Sequence, residues 1–179
     1  MKRIFILLIC IVMAFTMVSC GEKTETKVYT LKEESYSGTI NYTVKITGDR
    51  IVVSAETTAE RELDDGKMVY LKQTSKISGF VVKNEDGTIN IDINRAGASA
   101  SMSRLYTGDG ADEMKAQLRE QVNNLYEDGA AKQAQLDVID GKTIVMKYGD
   151  ELWEELGPDE DYSMVITLDE ENGTFTYES

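Results

Sequence analysis

The chain of 179 residues contains no histidine, one proline, one tryptophan and two cysteines, and its 19 basic residues are outnumbered by 32 acidic ones, for a formal charge of -13. Without histidine there is no Ser-His-Asp triad, no imidazole general base and no histidine-ligated zinc. Also missing are a Gly-x-Ser-x-Gly elbow, a Ser-x-x-Lys motif, a Walker loop and a dinucleotide-binding glycine fingerprint. Apart from one apolar run at the start there is nothing to suggest a polytopic membrane protein. What is present, 41% apolar and 28% charged residues, is the composition of an ordinary globular domain rather than of a disordered or collagenous chain.

The apolar run is an address. Lys2 and Arg3 precede a stretch from Ile4 to Val18 that only Thr16 interrupts. As a helix this stretch rises about 22 Å, short of the hydrocarbon core of about 30 Å, so residues 1–19 read as a secretory signal peptide rather than a permanent span. It ends in Met17-Val18-Ser19-Cys20, which resembles the bacterial lipobox. The resemblance implies diacylglyceryl transfer to the Cys20 sulfur, cleavage before it, and an extracytoplasmic protein anchored to a bacterial cell membrane. Cys10 leaves with the peptide, so Cys20 is the only cysteine left, and with its sulfur a thioether neither a disulfide nor a thiolate site remains. Two or three acyl chains hold a domain firmly where one is marginal. Gly21 to Lys27 carry no large apolar side chain, and residues 20–27 read as lipidated cysteine and tether.

Charge narrows the partners. Lys2 and Arg3 fall in the leader, which leaves 17 of the 19 basic residues against all 32 acidic ones. Gly149 to Ser179 hold eleven Asp or Glu and no Lys or Arg. Such a surface repels phosphate backbones and anionic head groups, and nucleic acid is excluded as an expected partner. Asp159-Glu160-Asp161 and Asp169-Glu170-Glu171 are oxygen-rich enough to consider for calcium, but neither has the alternating spacing of an EF-hand loop. Asn84-Glu85-Asp86-Gly87 reads as a turn, and no metal or cofactor is expected.

Hairpin signals organise the remainder: Gly48-Asp49, Asp65-Gly66, Asp86-Gly87, Asp140-Gly141 and Asn172-Gly173. Asp-Gly and Asn-Gly supply the positive backbone angles of tight turns, so each is expected to join two antiparallel strands. Ile40, Tyr42, Val44 and Ile46 alternate with polar residues, as do Ile89, Ile91 and Ile93, and Tyr162, Met164, Ile166 and Leu168. Leu136 and Val138 are expected to face Ile144, Met146 and Tyr148 across Asp140-Gly141. Met68 to Leu71 is ambiguous between strand and helix. Between Ala111 and Asp128, Met114, Leu118, Val122 and Leu125 recur at helical spacing, with Asp109 or Asp112 placed to cap the start. A helical turn carries Leu152, Trp153 and Leu156 up to Gly157-Pro158, and the Ala, Gly and Ser-rich stretch 95–108 reads as a flexible crossing or a weak edge strand. The expected fold is α+β: residues 28–179 as a single globular domain, a mainly antiparallel sheet built from hairpins, with one long amphipathic helix at about 111–128 packed on its apolar face.

Lys27 to Thr58, with Gly-Thr-Ile-Asn-Tyr-Thr-Val and Thr-Gly-Asp-Arg, is similar to the opening of the YehR-like small bacterial lipoproteins, whose function is unassigned. That likeness implies a lipobox followed by a hairpin and carries no functional residue. The layout of hairpins and helix also resembles the half-barrel lipoprotein carriers, which hold an acyl chain between sheet and helix.

The functional expectation is a non-catalytic binding or interaction module tethered to the membrane through Cys20, facing an envelope protein or an amphiphilic small molecule. The alternative is a carrier or sensor of an amphiphile against the stripe of Met114, Leu118, Val122 and Leu125, with Met68, Met102, Met146 and Met164 making the site adaptable. Catalysis would need carboxylates, and Glu154 and Glu155 beside Trp153 are the one pair next to an indole; adjacent helical residues diverge, so an exposed acidic turn is expected there instead. Replacing Cys20 with Ala is expected to move the protein from the membrane to the soluble fraction on cell fractionation.

Overall fold

The computed structural model describes residues 25–35, 38–159 and 162–178, so the signal peptide and Cys20 lie outside the described residues. Within them the chain forms β1 (Thr26–Ser35), β2 (Gly38–Thr47), β3 (Arg50–Glu62), β4 (Met68–Lys83), β5 (Ile89–Asp92) and β6 (Ser99–Thr107). Helices α1 (Ala111–Leu125) and α2 (Ala130–Ile139) follow, then β7 (Ile144–Lys147), α3 (Glu151–Leu156), β8 (Val165–Asp169) and β9 (Thr174–Glu178).

Alternation and turn chemistry build the first half. The β1–β2, β2–β3, β3–β4 and β4–β5 pairs are antiparallel hairpins, the last three turning at Gly48-Asp49, Asp65-Gly66 and Asp86-Gly87. In the β4–β5 turn the Asp86 carboxylate accepts the Thr88 N–H at 2.9 Å, an Asx turn that presets the reversal. The strand order is β3-β2-β1-β9-β8-β5-β4-β6-β7, and β3 also pairs with β4. That extra pairing joins the first strand of the order to the seventh, so β3, β2, β1, β9, β8, β5 and β4 close into a ring from which β6 and β7 branch. The ring is closed on its other side by a parallel contact, Thr30 against Thr174, where the Thr30 N–H donates to the Gly173 carbonyl at 3.0 Å. As in other small barrels, side chains fill the interior: Val44, Ile51 and Ile166 are fully buried and Tyr29 and Phe175 nearly so. Beyond Thr30 the walls part, and Tyr42 and Tyr177 fill the gap with ring centroids 5.4 Å apart. The Tyr42 and Tyr177 hydroxyls are hydrogen-bonded at 3.2 Å; this bond, made by the neutral phenol, and then burial push Tyr42 above its ordinary range.

β4 needs both its edges and more. One edge pairs with β3; the other pairs with β6 from Tyr70 to Ser78 and with β5 from Phe80 to Lys83. Gly79 sits at the handover, and a Cβ there would stand 2.4 Å from the Asp92 carbonyl oxygen and 2.8 Å from the Ile91 side chain.

The expected fold class is overturned. Among the described residues strands hold 50% and helices 21%, the sheet is mixed, and the helices are short, with no long amphipathic helix. The 111–128 segment stops at Leu125, where Tyr126 turns extended, and Ala130–Ile139 begins a second helix where a strand was expected before Asp140-Gly141. That segment, Ala-Ala-Lys-Gln-Ala-Gln-Leu-Asp-Val-Ile, buries Ala131, Ala134 and Val138. Its alanine content and three-to-four spacing favour helix, and Leu136 and Val138 only imitate alternation. Asp109 does not cap α1, whose N-cap is Gly110 without a side-chain bond; its carboxylate accepts the Met68 N–H at 2.8 Å instead. The 95–108 stretch, expected as a crossing or edge, contains β6, an inner strand between β4 and β7, and Met68 to Leu71 opens the 16-residue β4. The short helix over Leu152, Trp153 and Leu156 lies where expected.

Replacing Gly79 with Ala is expected to cost about 1–3 kcal/mol, the usual penalty for forcing atoms into a packed site, read as a lower urea midpoint with unchanged slope.

Candidate functional site

β3, β4 and β6 overrun the barrel, and α1 docks on this overhang. Gly110 makes the approach possible: a Cβ there would lie 2.8 Å from Leu63 and 2.9 Å from Val69. The Gly110 N–H donates to the Met68 carbonyl at 3.1 Å, and the Lys67 ammonium joins Glu113 of α1 at 3.1 Å while also holding Asp65. These two carboxylates push the Lys67 ammonium well above its usual range, and Lys67 in turn, through side-chain and backbone bonds, lowers the Asp65 carboxyl.

The helix is pinned at its first turn, and Met114 and Leu118 further along it pack toward the strands beside a surface groove. Ala59, Leu71 and Tyr106 face one another in one register row across β3, β4 and β6, and Arg61 and Val69 make the next. Met114 and Leu118 form the opposite wall of a groove of about 470 Å³, with Glu60 and Arg61 at its rim. Leu63, Val69, Tyr106, Ala111 and Met114 form a small core beneath it, separate from the barrel core. Between the two cores runs a polar row, Thr57, Gln73 and Arg104. Arg104 Nε donates to Gln73 Oε1 at 2.7 Å, and Gln73 Nε2 to Ser75 Oγ at 3.3 Å. The arrangement is an apolar trough with a guanidinium near each end.

Of the predicted stripe, Met114 and Leu118 line this groove, Val122 is buried outside it, and Leu125 is 79% exposed. The methionines scatter: Met102, Met146 and Met164 belong to the barrel core, and Met68 begins β4. Ala59, Arg61, Leu71, Arg104 and Tyr106 went unnoticed in the sequence, although Ala100, Met102, Arg104 and Tyr106 alternate with serine and leucine in the pattern of a strand.

Trp153 is buried, edge-on to Tyr148 with centroids 5.9 Å apart, so its indole is no sugar platform. Glu154 and Glu155 are exposed on a polar cleft of about 560 Å³ that Asn94, Pro158 and Asp159 also line. The acidic runs serve turns: Asp169 accepts the N–H groups of Glu171 and Asn172 at 3.1 and 3.0 Å, and Glu170 pairs with Lys27 at 2.7 Å. Glu160 and Asp161 lie outside the described residues, and among the described residues no three His, Cys, Asp or Glu are grouped to hold a metal ion. No protein-family model, curated protein or solved structure matches the chain.

The double variant Glu154→Gln, Glu155→Gln is expected to melt within a degree or so of the parent, since exposed substitutions away from special contacts change stability by less than about 0.5 kcal/mol; a loss of several degrees by calorimetry contradicts the exposed-turn reading.

Proposed function

We propose that the chain is a lipid-anchored cell-envelope lipoprotein, held to the membrane through Cys20, that acts as a non-catalytic binding module and takes an amphiphilic small molecule in the groove between α1 and the β3–β4–β6 overhang. The observation that carries this is the groove itself: Met114 meets Val69 and Tyr106 in the small core, and beside that contact Ala59, Leu71 and Leu118 line an apolar groove of about 470 Å³, within the range of small-ligand sites. An apolar body laid in the trough removes both walls from water, a gain of about 25 cal/mol for each Å² covered. The guanidiniums of Arg61 at the rim and Arg104 in the adjoining row suit a ligand whose head is polar or anionic. Methionine at 114 gives one wall the adaptability to accept chains of differing shape.

The test compares native and denatured mass spectra of the chain from Gly21 onward after export without its anchor. A discrete additional mass that disappears on denaturation, and that Leu118→Asp abolishes, is the expected result. Identical masses, together with no displaceable binding of a fluorescent fatty acid, overturn it.

A further inference from the structure

The acidic chain has one patch that is not acidic, at the Arg50 end of the outer sheet face; further along β3 the same face carries Glu56, paired with Lys72 at 2.8 Å, Glu60 and Glu62. Side chains alternate across the sheet, and those on the outer face, away from the helices, fall into rows that the strand register fixes. One row runs Thr26, Thr47, Arg50, Phe80 and Asp92. The next runs Lys45, Val52, Ser78, Ser99 and Lys147, and the third Thr43, Ser54, Lys76, Ser101 and Val145. Arg95 joins the first row, its Cζ 3.5 Å from the Phe80 ring centroid, with Arg50 Cζ 4.1 Å from the same centroid. These rows carry five cations. The one carboxylate in them, Asp92, is bound to Arg95 at 3.2 Å, and among the described residues Lys45, Arg50, Lys76 and Lys147 have no carboxylate partner. Lys45, Lys76, Arg95 and Lys147 are exposed, and Val145 and Val82 on the same face are 55% and 44% exposed.

We infer that this patch on the outer face of β2, β3, β4, β6 and β7 is a docking surface for an anionic lipid bilayer, with the lysines and arginines meeting phosphate head groups and Val145 and Val82 reaching the interface. Charge complementarity carries the inference, and three features favour a bilayer over a soluble polyanion. The rows span five strands, a basic patch broader than the single line of contacts that one polymer strand makes. Phe80, the aromatic ring among them, is taken up by two guanidiniums and leaves no open platform for sugar stacking. The chain enters this face at Thr26, in the same row as Arg50, and Cys20 is five Cα steps before Glu25, a reach of at most about 17 Å. The orientation therefore rests on the anchoring proposed above.

The net charge does not forbid this. The acidic side chains of the helices, Glu113, Glu120, Asp137 and Glu154 among them, lie on the other side of the sheet. Stacked layers are about 10 Å apart, beyond the screening length of about 8 Å at physiological ionic strength. Repulsion of anionic head groups, expected from composition alone, thus applies away from this patch.

The chain from Gly21 to Ser179 holds all nine strands and three helices described, and its circular dichroism and melting point are first matched to those of the anchored protein. Its co-sedimentation is measured with vesicles of phosphatidylcholine alone and of phosphatidylcholine mixed with phosphatidylglycerol. Binding to the mixed vesicles only, weakening with salt, is expected. Lys45→Gln, Lys76→Gln and Lys147→Gln together are expected to weaken it roughly tenfold or more, since each basic residue at such a surface contributes about fivefold. Lys115→Gln, Lys132→Gln and Lys142→Gln remove the same charge elsewhere and are expected to leave it unchanged; if either triple variant melts lower, Lys76→Gln is compared singly with Lys142→Gln. No preference of the parent for anionic vesicles, equal loss in both variants, or equally tight binding of dextran sulfate in solution overturns the inference. Because the anchor is absent, failure here is separate from failure of the Cys20→Ala fractionation.

Discussion

β4 has three strand neighbours and two edges, and the arrangement of the molecule follows from how that conflict is resolved. Tyr70 to Ser78 serve β6, Phe80 to Lys83 serve β5, and Gly79 lets the carbonyl of Asp92 come close enough for the exchange. On the β5 side the sheet curls shut into a barrel filled by aliphatic and aromatic side chains. On the β6 side it stays open, and the overhang needs helices to cover its inner face. Barrel, trough and flat outer face are three results of one strand changing partners.

The inner and outer faces divide the chemistry. Inside, small and aliphatic residues alternate inward from every strand of the ring, and the helices add Ala134, Val138 and Trp153 to the same core. Outside, serine and threonine occupy most of the positions between the basic residues, which keeps that surface flat. The helices take much of the acid. A formal charge summed over a sequence cannot express this separation, because it assigns no direction to any side chain. The strand register does.

Much of the barrel was legible in the sequence and much of its cover was not. The turns at Gly48-Asp49, Asp65-Gly66, Asp86-Gly87 and Asn172-Gly173 are local events, decided by backbone angles that few residues adopt, and the pairs they join follow from them. Asp140-Gly141 carries the same signal but follows a helix, because the alanines before it weigh more than two alternating apolar residues. β6 was obscured by its serines, which lower hydrophobicity without breaking alternation. Met114 and Leu118 were readable as an apolar stripe, but the strand residues they face come from three segments far apart in the chain. No local pattern reports such a meeting, nor the parallel pairing of β1 with β9.

That parallel contact has a kinetic side. β1 to β4 can zip as successive hairpins while the chain is still being delivered, each step closing a short loop. The ring shuts only when residues 165–178 arrive to sit between β1 and β5, at a sequence separation of well over a hundred residues from Thr30. Until then the ten-residue edge of β1 and the short edge of β5 stay open, the condition under which chains pair with their neighbours instead of themselves. The charged residues on those edges, Lys32 and Glu34 on β1 among them, make the waiting form a poor template for aggregation, and the slowest step in maturation is set by delivery of the final hairpin rather than by the intrinsic speed of the strands already in place.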